Sequence, residues 1–191
     1  VSNNIVTYDP DADYNGSDSF SYSITQGDKT SSSDVAVTIE AVNDRPSIDI
    51  ALTILAEENQ TTVTTVSISD VDEDELTLTL GGTDADSFNL SSDNILSFKE
   101  APDYETKNTY LITLTLTDGI ETVSTDITIL IKNTNDNAPE FTSSPSFALN
   151  ENTTAIGTVS ASDIDGDAIT FEVFFNCTTA ATEDLQINQD G

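Results

Sequence analysis

Residues 109–132 form the sequence TYLITLTLTDGIETVSTDITILIK, in which apolar side chains occupy alternate positions. The two rows are Tyr110, Ile112, Leu114 and Leu116, then Ile127, Ile129 and Ile131. A period of two, rich in β-branched residues, is typical of strands that bury one face. Similar rows occur over 20–24, 35–39 and 76–80, and no stretch has a convincing helical period. The sequence therefore predicts an all-β chain.

The composition restricts the function. The 191 residues include 35 Asp and Glu against 5 Lys and Arg, no His and one Cys, and the formal net charge is −30. So few cations cannot form the basic patch that nucleic acids or anionic lipids require, and we expect no nucleic acid partner and no direct membrane contact. His, the commonest transition-metal ligand, is absent, and one Cys cannot form a thiolate cage. The composition favours a hard cation bound by oxygen atoms.

Two segments of the chain repeat. Residues 58–80, ENQTTVTTVSISDVDEDELTLTL, return 93 residues later as ENTTAIGTVSASDIDGDAITFEV over 151–173. Residues 13–28 similarly resemble residues 103–118, and the joints NDRP and NDNAP end at Pro46 and Pro139. We therefore expect the C-terminal half of one repeat over 1–45, a complete repeat over 46–138 and the N-terminal part of a third over 139–191. Because a half repeat and Val come first, we expect a segment of a longer protein.

A complete repeat of this length with short alternating strands fits a two-sheet, immunoglobulin-like sandwich. The two incomplete repeats lack strands that would close a sandwich, so we expect poor order or exposed edges there. In a sandwich, consecutive loops gather at the two ends, and the acidic residues of this chain concentrate at the repeat ends and joints. Ca²⁺ takes about 6–8 such oxygen ligands.

The DxDxD pattern has two other interpretations. An EF-hand loop requires Gly at position six and Glu at position twelve. Counting from Asp163 gives Ala168 and Phe174, and counting from Asp70 gives Glu75 and Gly81, so an EF-hand is excluded. A solvated hairpin turn remains an alternative for each triplet taken alone.

The order and spacing of several motifs resemble those of cadherin repeats. They are EN at 58–59, DxD at 70–72, DYE at 103–105, TDG at 117–119, NTNDNAPEF at 133–141, EN at 151–152 and DxD at 163–165. The stretch PDADYNGSDSFSYSIT at 10–25, followed by VNDRP at 42–46, resembles bacterial cadherin-like tandem repeats. The resemblance implies tandem immunoglobulin-like Greek-key β-sandwich repeats with calcium ions in each joint.

Matching positions imply ligands at both joints. For the second joint they are Glu58, Asp103, Glu105, Asn135, Asp136, Asn137 (by its carbonyl), Asp163 and Asp165. For the first joint they are Asp13, Asp44, Asp70, Asp72 and Asp118. Asn133 stands where the family usually has Asp, and Asn15 stands where it has Glu. The first joint is one residue shorter and carries Arg45, so we expect fewer ions or weaker binding there.

The function that we expect is a calcium-rigidified stalk of a secreted or cell-surface adhesion protein, whose partners are Ca²⁺ and the neighbouring repeats. The adhesion partner, another surface protein or a polysaccharide, stays open. The alternative is a carbohydrate-binding module, which exposed aromatic side chains along one sandwich face would favour; Phe and Tyr mostly occupy core-type alternating positions. Two acids can suffice for a glycosidase, but no motif builds a cleft around a pair, so we expect no enzymatic activity.

Overall fold

The computed structural model describes residues 5–153 and 155–172, so the single cysteine, Cys177, lies outside the described part. The described strands are β1 (Gly16–Gln26), β2 (Lys29–Ile39), β3 (Ser47–Asp49), β4 (Thr53–Glu57), β5 (Thr62–Thr65), β6 (Ser67–Ser69), β7 (Thr77–Gly81), β8 (Phe88–Leu90), β9 (Ile95–Phe98), β10 (Thr109–Thr117), β11 (Thr122–Lys132), β12 (Glu140–Phe141) and β13 (Ala161–Ser162). One 3-10 turn covers Ala85–Ser87. The prediction of an all-β chain is confirmed, and every alternating row lies on a strand or, at Leu76, directly before one.

Strands β1 and β2 form a two-stranded antiparallel hairpin in which Phe20 pairs with Val35 and Asp18 with Val37. The alternation places apolar side chains on one face and Ser and Thr on the other. Much of the apolar face is accessible: Tyr22 is 50% exposed and Ile24 66%. The expectation that residues 1–45 are an incomplete repeat stays a prediction.

The next strands form the layers of a sandwich. One sheet has the order β4-β11-β10-β7, a second has the order β5-β9-β8, and β3 pairs with β6. In the first sheet Leu114 lies opposite Leu80 and Leu116 opposite Leu78 in antiparallel register. Because side chains alternate between the two faces of a strand, this register collects the Leu rows on one side of the sheet.

The core lies between these sheets. Leu96 from β9 and Leu114 and Leu116 from β10 are fully buried. The rings of Phe88 and Phe98 approach Tyr110 edge-on, with centroids 5.6 and 5.1 Å away. These contacts join β8 and β9 to β10 face to face, and edge-to-face geometry is a favourable arrangement for aromatic pairs.

The chain divides into two compact units. The first contains Val1–Ile54, Thr61–Glu100 and Tyr110–Ile129, and the second contains Leu55–Gln60, Ala101–Thr109 and Leu130–Gly191. The second unit therefore collects the EN, DYE and NTNDNAP motifs, and it contains the short β12–β13 pair. The units follow spatial proximity, whereas the three repeat boundaries follow self-similarity of sequence and stay a prediction. Among the described residues, no helix has the length and apolarity that a bilayer crossing needs.

We expect Leu114→Ala to lower the free energy of unfolding by about 2–5 kcal/mol, because Leu114 is fully buried and its truncation leaves a cavity. Leu111→Ala is the matched control on the same strand, since Leu111 is 50% exposed. Denaturant unfolding in the presence of chelator measures both. Equal losses in the two variants would contradict the assignment of the buried face of β10.

Candidate metal centres

Glu58 is the organising residue of the second joint. It follows the last residue of β4 and is only 4% exposed. One carboxylate oxygen accepts a hydrogen bond from the backbone N–H of Tyr104 at 3.1 Å, and the other accepts one from the backbone N–H of Thr134. A buried carboxylate needs such donors. Glu58 therefore ties the DYE segment and the joint to the end of β4.

Asp103 and Glu105 stand beside Glu58, and each of the three offers one oxygen within 4.8 Å of the others. The Asp103 carboxylate accepts hydrogen bonds from Thr106 Oγ1 at 2.9 Å and from Thr106 N at 3.1 Å, which lower its pKa. Burial raises the pKa of Glu105, and Asp165 and Glu58 beside it add to the rise. Glu105 Oε1 is buried and has no hydrogen-bond partner among the described residues.

A second group joins Glu105 to Asp136 and Asp165, again with one oxygen of each within 4.8 Å. Asp165 Oδ2 accepts hydrogen bonds from the backbone N–H of Asp136 at 3.2 Å and of Asn137 at 2.8 Å. The side chain of Asn137 also donates to Asp165, and this bond is the main cause of the lowered pKa of Asp165. The side chain of Asn59 donates to Asp136. The second joint thus brings four ligand segments together.

Asn133, which stands where the family usually has Asp, offers a side-chain amide oxygen at the second joint. Its Nδ2 donates to the carbonyl of Asp165 at 2.9 Å, while its Oδ1 is buried without a hydrogen-bond partner in the described chain. An amide oxygen in that situation is an acceptor available to a cation. Asn135 is exposed, and its side chain makes no hydrogen bond to the described residues.

The two DxDxD turns have the same local geometry. Asp70 Oδ1 accepts from the backbone N–H of Asp72 at 2.9 Å, and Asp163 Oδ1 accepts from that of Asp165 at 2.9 Å. The third carboxylates, which the predicted ligand set omitted, complete groups within 4.8 Å; the groups are Asp70, Asp72 and Asp74, and Asp163, Asp165 and Asp167. The 93-residue offset, which pairs Asp74 with Asp167, was the available signal.

The first joint is assembled around Asp118 and Asp44. Asp118 is 9% exposed and accepts hydrogen bonds from Asn43 Nδ2 at 3.0 Å and from the backbone N–H groups of Ile120 and Glu121 at 2.7 and 2.6 Å. The backbone N–H of Asp44 donates to Asp72 at 2.6 Å. These bonds bring the joint to both the TDG turn and the DxDxD turn of the same unit.

Asp13 lies close enough to Asp44 to affect its titration. Burial is the first cause of the raised pKa of Asp44, and the charges of Asp13, Asp72, Asp70 and Glu121 add to it. Asp13 itself is exposed and belongs to none of the described three-carboxylate groups. The ligands predicted from the sequence do not include Asn43, whose Oδ1, like Asp70 Oδ2, is buried without a hydrogen-bond partner in the described chain. Its match to Asn135 across the two joints was the signal for it.

These sites fit a hard divalent cation. The side-chain atoms that could bind an ion are carboxylate and amide oxygens, which suit Ca²⁺ and not soft metals. Four of the oxygens are buried and unpartnered among the described residues: Asn43 Oδ1, Asp70 Oδ2, Glu105 Oε1 and Asn133 Oδ1. Buried polar atoms without partners are rare and need a physical reason, and a bound ion would supply one.

Comparisons with known proteins support a cadherin-like fold. The family model of the bacterial Ig domain Big_9 matches residues 1–40. Form II of human protocadherin-24 EC1-2 is 25% identical, the match covers 64% of this chain and 63% of that chain, and the TM-score is 0.57. For protocadherin gammaB7 EC3-6, a cis-dimer structure, identity is 26%, coverage 78% and 40%, and TM-score 0.54. Drosophila N-cadherin EC1-4 is 22% identical, the match covers 72% of this chain and 38% of that chain, and the TM-score is 0.53.

The chain thus spans less than two thirds of each of these structures. No curated protein matches it. The matches confirm the resemblance to bacterial cadherin-like repeats and the prediction of an immunoglobulin-like β-sandwich. The fold is that of cadherin-like repeats.

We expect Asn43→Ala to raise the pKa of Asp118 in metal-free protein, because the Asn43 amide is the main cause of its lowered value. A carboxylate whose pKa is lowered by folding stabilises the protein above its unfolded-state pKa of about 4, and the stabilisation is lost as pH falls through the folded-state value. The variant should therefore be less stable at neutral pH and lose less stability on acidification.

Carboxyl NMR titration with chelator present measures this shift. Asp103 is the internal control, because Thr106 and not Asn43 is the main cause of its lowered pKa. An unchanged Asp118 titration in the variant would contradict the described hydrogen bond.

Proposed function

We propose that this chain is part of a calcium-rigidified stalk of a secreted or cell-surface adhesion protein. The observation that carries the proposal is that both joints hold buried oxygens which have no hydrogen-bond partner among the described residues and which lie beside grouped carboxylates. In the second joint, two of the groups combine carboxylates from segments that are distant in sequence, so their grouping is a property of the fold; the groups are Glu58, Asp103 and Glu105, and Glu105, Asp136 and Asp165. The ligands proposed for the second joint are those expected from the sequence, with Asn133 and Asp167 added.

The residues of the second joint hold its segments together. Glu58 accepts hydrogen bonds from the DYE segment and from the joint segment. Asp165 accepts hydrogen bonds from two backbone N–H groups of the joint. Glu105, Asp136 and Asp165 repel one another as long as no cation is present. A bound calcium ion would supply positive charge, and the carboxylate and amide oxygens of these residues would coordinate it. The joint is then held in one arrangement by groups from both of the repeats that it connects.

The first joint is expected to bind less strongly. Arg45 adds a positive charge, and its guanidinium donates to the carbonyl of Thr122 at 3.2 Å. Asn15 is neutral and exposed where the resemblance implies Glu. The ligand set proposed for this joint keeps Asp13, Asp44, Asp70, Asp72 and Asp118, with Asn43 and Asp74 added.

The partners and the location that we propose follow from the interpretation of the chain as a series of cadherin-like repeats. Neighbouring repeats of the same chain are the immediate partners, and a surface protein or polysaccharide is the adhesion partner. An extracellular or cell-surface location supplies the calcium that the joints need, and no catalytic role is assigned.

One observation favours the alternative of a carbohydrate-binding module. Contrary to the expectation of few exposed aromatic side chains, Tyr8, Tyr14, Tyr22, Phe141 and Phe147 are at least 40% exposed. Of these, Tyr22 shares the apolar face of β1 with Phe20 and Ile24. A continuous apolar row of this kind is typical of a face that packs against a second sheet, so the stalk remains the preferred function.

We expect millimolar Ca²⁺ to raise the melting temperature and chelator to lower it, because ions that bind the folded state stabilise it by mass action. Mg²⁺ should substitute poorly, since it requires a small, nearly octahedral shell. Calorimetric titration and thermal melting measure these effects. Small-angle scattering should show a longer and narrower particle with calcium, and circular dichroism the same β content in both states.

Sodium chloride without calcium is the control, because it screens charge over about 8–10 Å but supplies no ligand bonds. It should reproduce the scattering change only partly. If chelator leaves the melting temperature unchanged, calcium binding is wrong. If calcium binds but scattering does not change, the rigidifying mechanism is wrong.

We expect Asp136→Ala to reduce the number of bound calcium ions more than Asp44→Ala, since Asp136 belongs to a described three-carboxylate group and Asp44 does not. Asp93→Ala is the matched control, because Asp93 is exposed and outside the described groups. Calorimetric titration of the three variants gives the ion counts. Equal losses at the two joints would show that the joints do not differ as proposed.

A further inference from the structure

The side chain of Asn137 lies among the three carboxylates of the second group. Its amide nitrogen lies 2.8 Å from Asp136 Oδ1, 3.0 Å from Asp165 Oδ1 and 3.4 Å from Glu105 Oε2, so its two N–H protons are shared among three carboxylate oxygens. Its backbone N–H donates to the other oxygen of Asp165 at 2.8 Å. One neutral residue therefore contacts every member of a group whose oxygens lie within 4.8 Å of one another.

We propose that Asn137 is a positioning residue that holds Glu105, Asp136 and Asp165 together when no cation is bound. This role differs from that of the backbone carbonyl ligand that the resemblance implies. The amide places partial positive charge between three anions without adding net charge, so it reduces their repulsion and leaves their charge available to an ion. The part of the proposal that concerns calcium rests on the proposed function.

The first joint provides an internal comparison. Arg45 follows Asp44 as Asn137 follows Asp136, but its side chain donates to the Thr122 carbonyl. The side-chain amide of Asn43 donates to Asp118 and to the carbonyl of Asp44. Within the described residues, no side-chain amide links the carboxylates of Asp44, Asp70 and Asp72. Preassembly by an amide is therefore a property of the second joint.

Preassembly has a consequence for binding. Carboxylates that are already gathered need not be brought together when an ion arrives, and a site that is ordered in advance loses less free energy on binding. A donor at the centre of the group could instead compete with the ion for the same oxygens. These alternatives predict opposite changes in affinity when the amide is removed.

The experiment compares Asn137→Ala with wild type in the full chain, with Asn89→Ala as the control for loss of an exposed Asn amide. Hydrogen–deuterium exchange without metal reports on the backbone N–H groups of Asp136 and Asn137, both of which donate to Asp165. We expect exchange several-fold faster in Asn137→Ala than in wild type, and unchanged in Asn89→Ala. With saturating calcium the difference should largely disappear.

Calorimetry with Ca²⁺ alone completes the test. Asn137→Ala should bind several-fold more weakly at the second joint, with the first joint unaffected. The proposal is overturned by wild-type exchange in the metal-free variant, by tighter calcium binding in the variant, or by an exchange increase that saturating calcium leaves intact. If wild type binds no calcium, the proposed function fails, while the metal-free exchange comparison still decides the role of the amide.

Discussion

The buried carboxylate of Glu58 is the interaction on which the second joint depends. At 4% exposure its oxygens need hydrogen-bond donors from the protein, and these donors are the backbone N–H groups of Tyr104 and Thr134. Those two residues belong to segments far apart in sequence. Moving either donor segment away would leave one buried oxygen of Glu58 without its hydrogen bond, so the fold around Glu58 fixes where Asp103, Glu105 and Asn133 stand.

The strands determine where the site residues can be. Glu58 follows β4, Asp70 follows β6, Asp118 follows β10 and Asn133 follows β11, each directly after the last strand residue. Alternation within a strand dictates which face each side chain occupies, and a slip of one residue would reverse it. The apolar row of β10 thus positions Asp118 as well as the core. The register that buries Leu114 and Leu116 also brings Asp118 to the end of the sheet.

Much of this could be predicted from the sequence because the signals were periodic. The alternation in 109–132 located β10 and β11, and the 93-residue offset predicted that Asp70 and Asp163 would begin equivalent turns. The offset even extends to the backbone: Glu73 and Gly166 both have positive φ, 61° and 84°. Glu73 adopts there a conformation that Gly adopts without steric cost.

What could not be predicted depends on side-chain orientation. Composition and spacing do not show that the side-chain oxygens of Asn133 and Asn43 are buried. Nor do they show that the Asn137 amide turns toward carboxylates while Arg45 turns toward a carbonyl. The exposure of Tyr22 was missed for a different reason, because alternation identifies an apolar face but not whether a second sheet covers it.

The distribution of charge separates the stability of the sandwich from that of the joints. On the outward positions of β10 and β11, Thr and Ser predominate, and hydroxyl pairs such as Thr115 with Ser124, 3.0 Å apart, link the strands without charge. The grouped acids follow the strands and leave the core to apolar side chains such as Leu114. The carboxylate groups therefore need the sandwich to exist, whereas the apolar rows that build the sandwich contain none of their ligands.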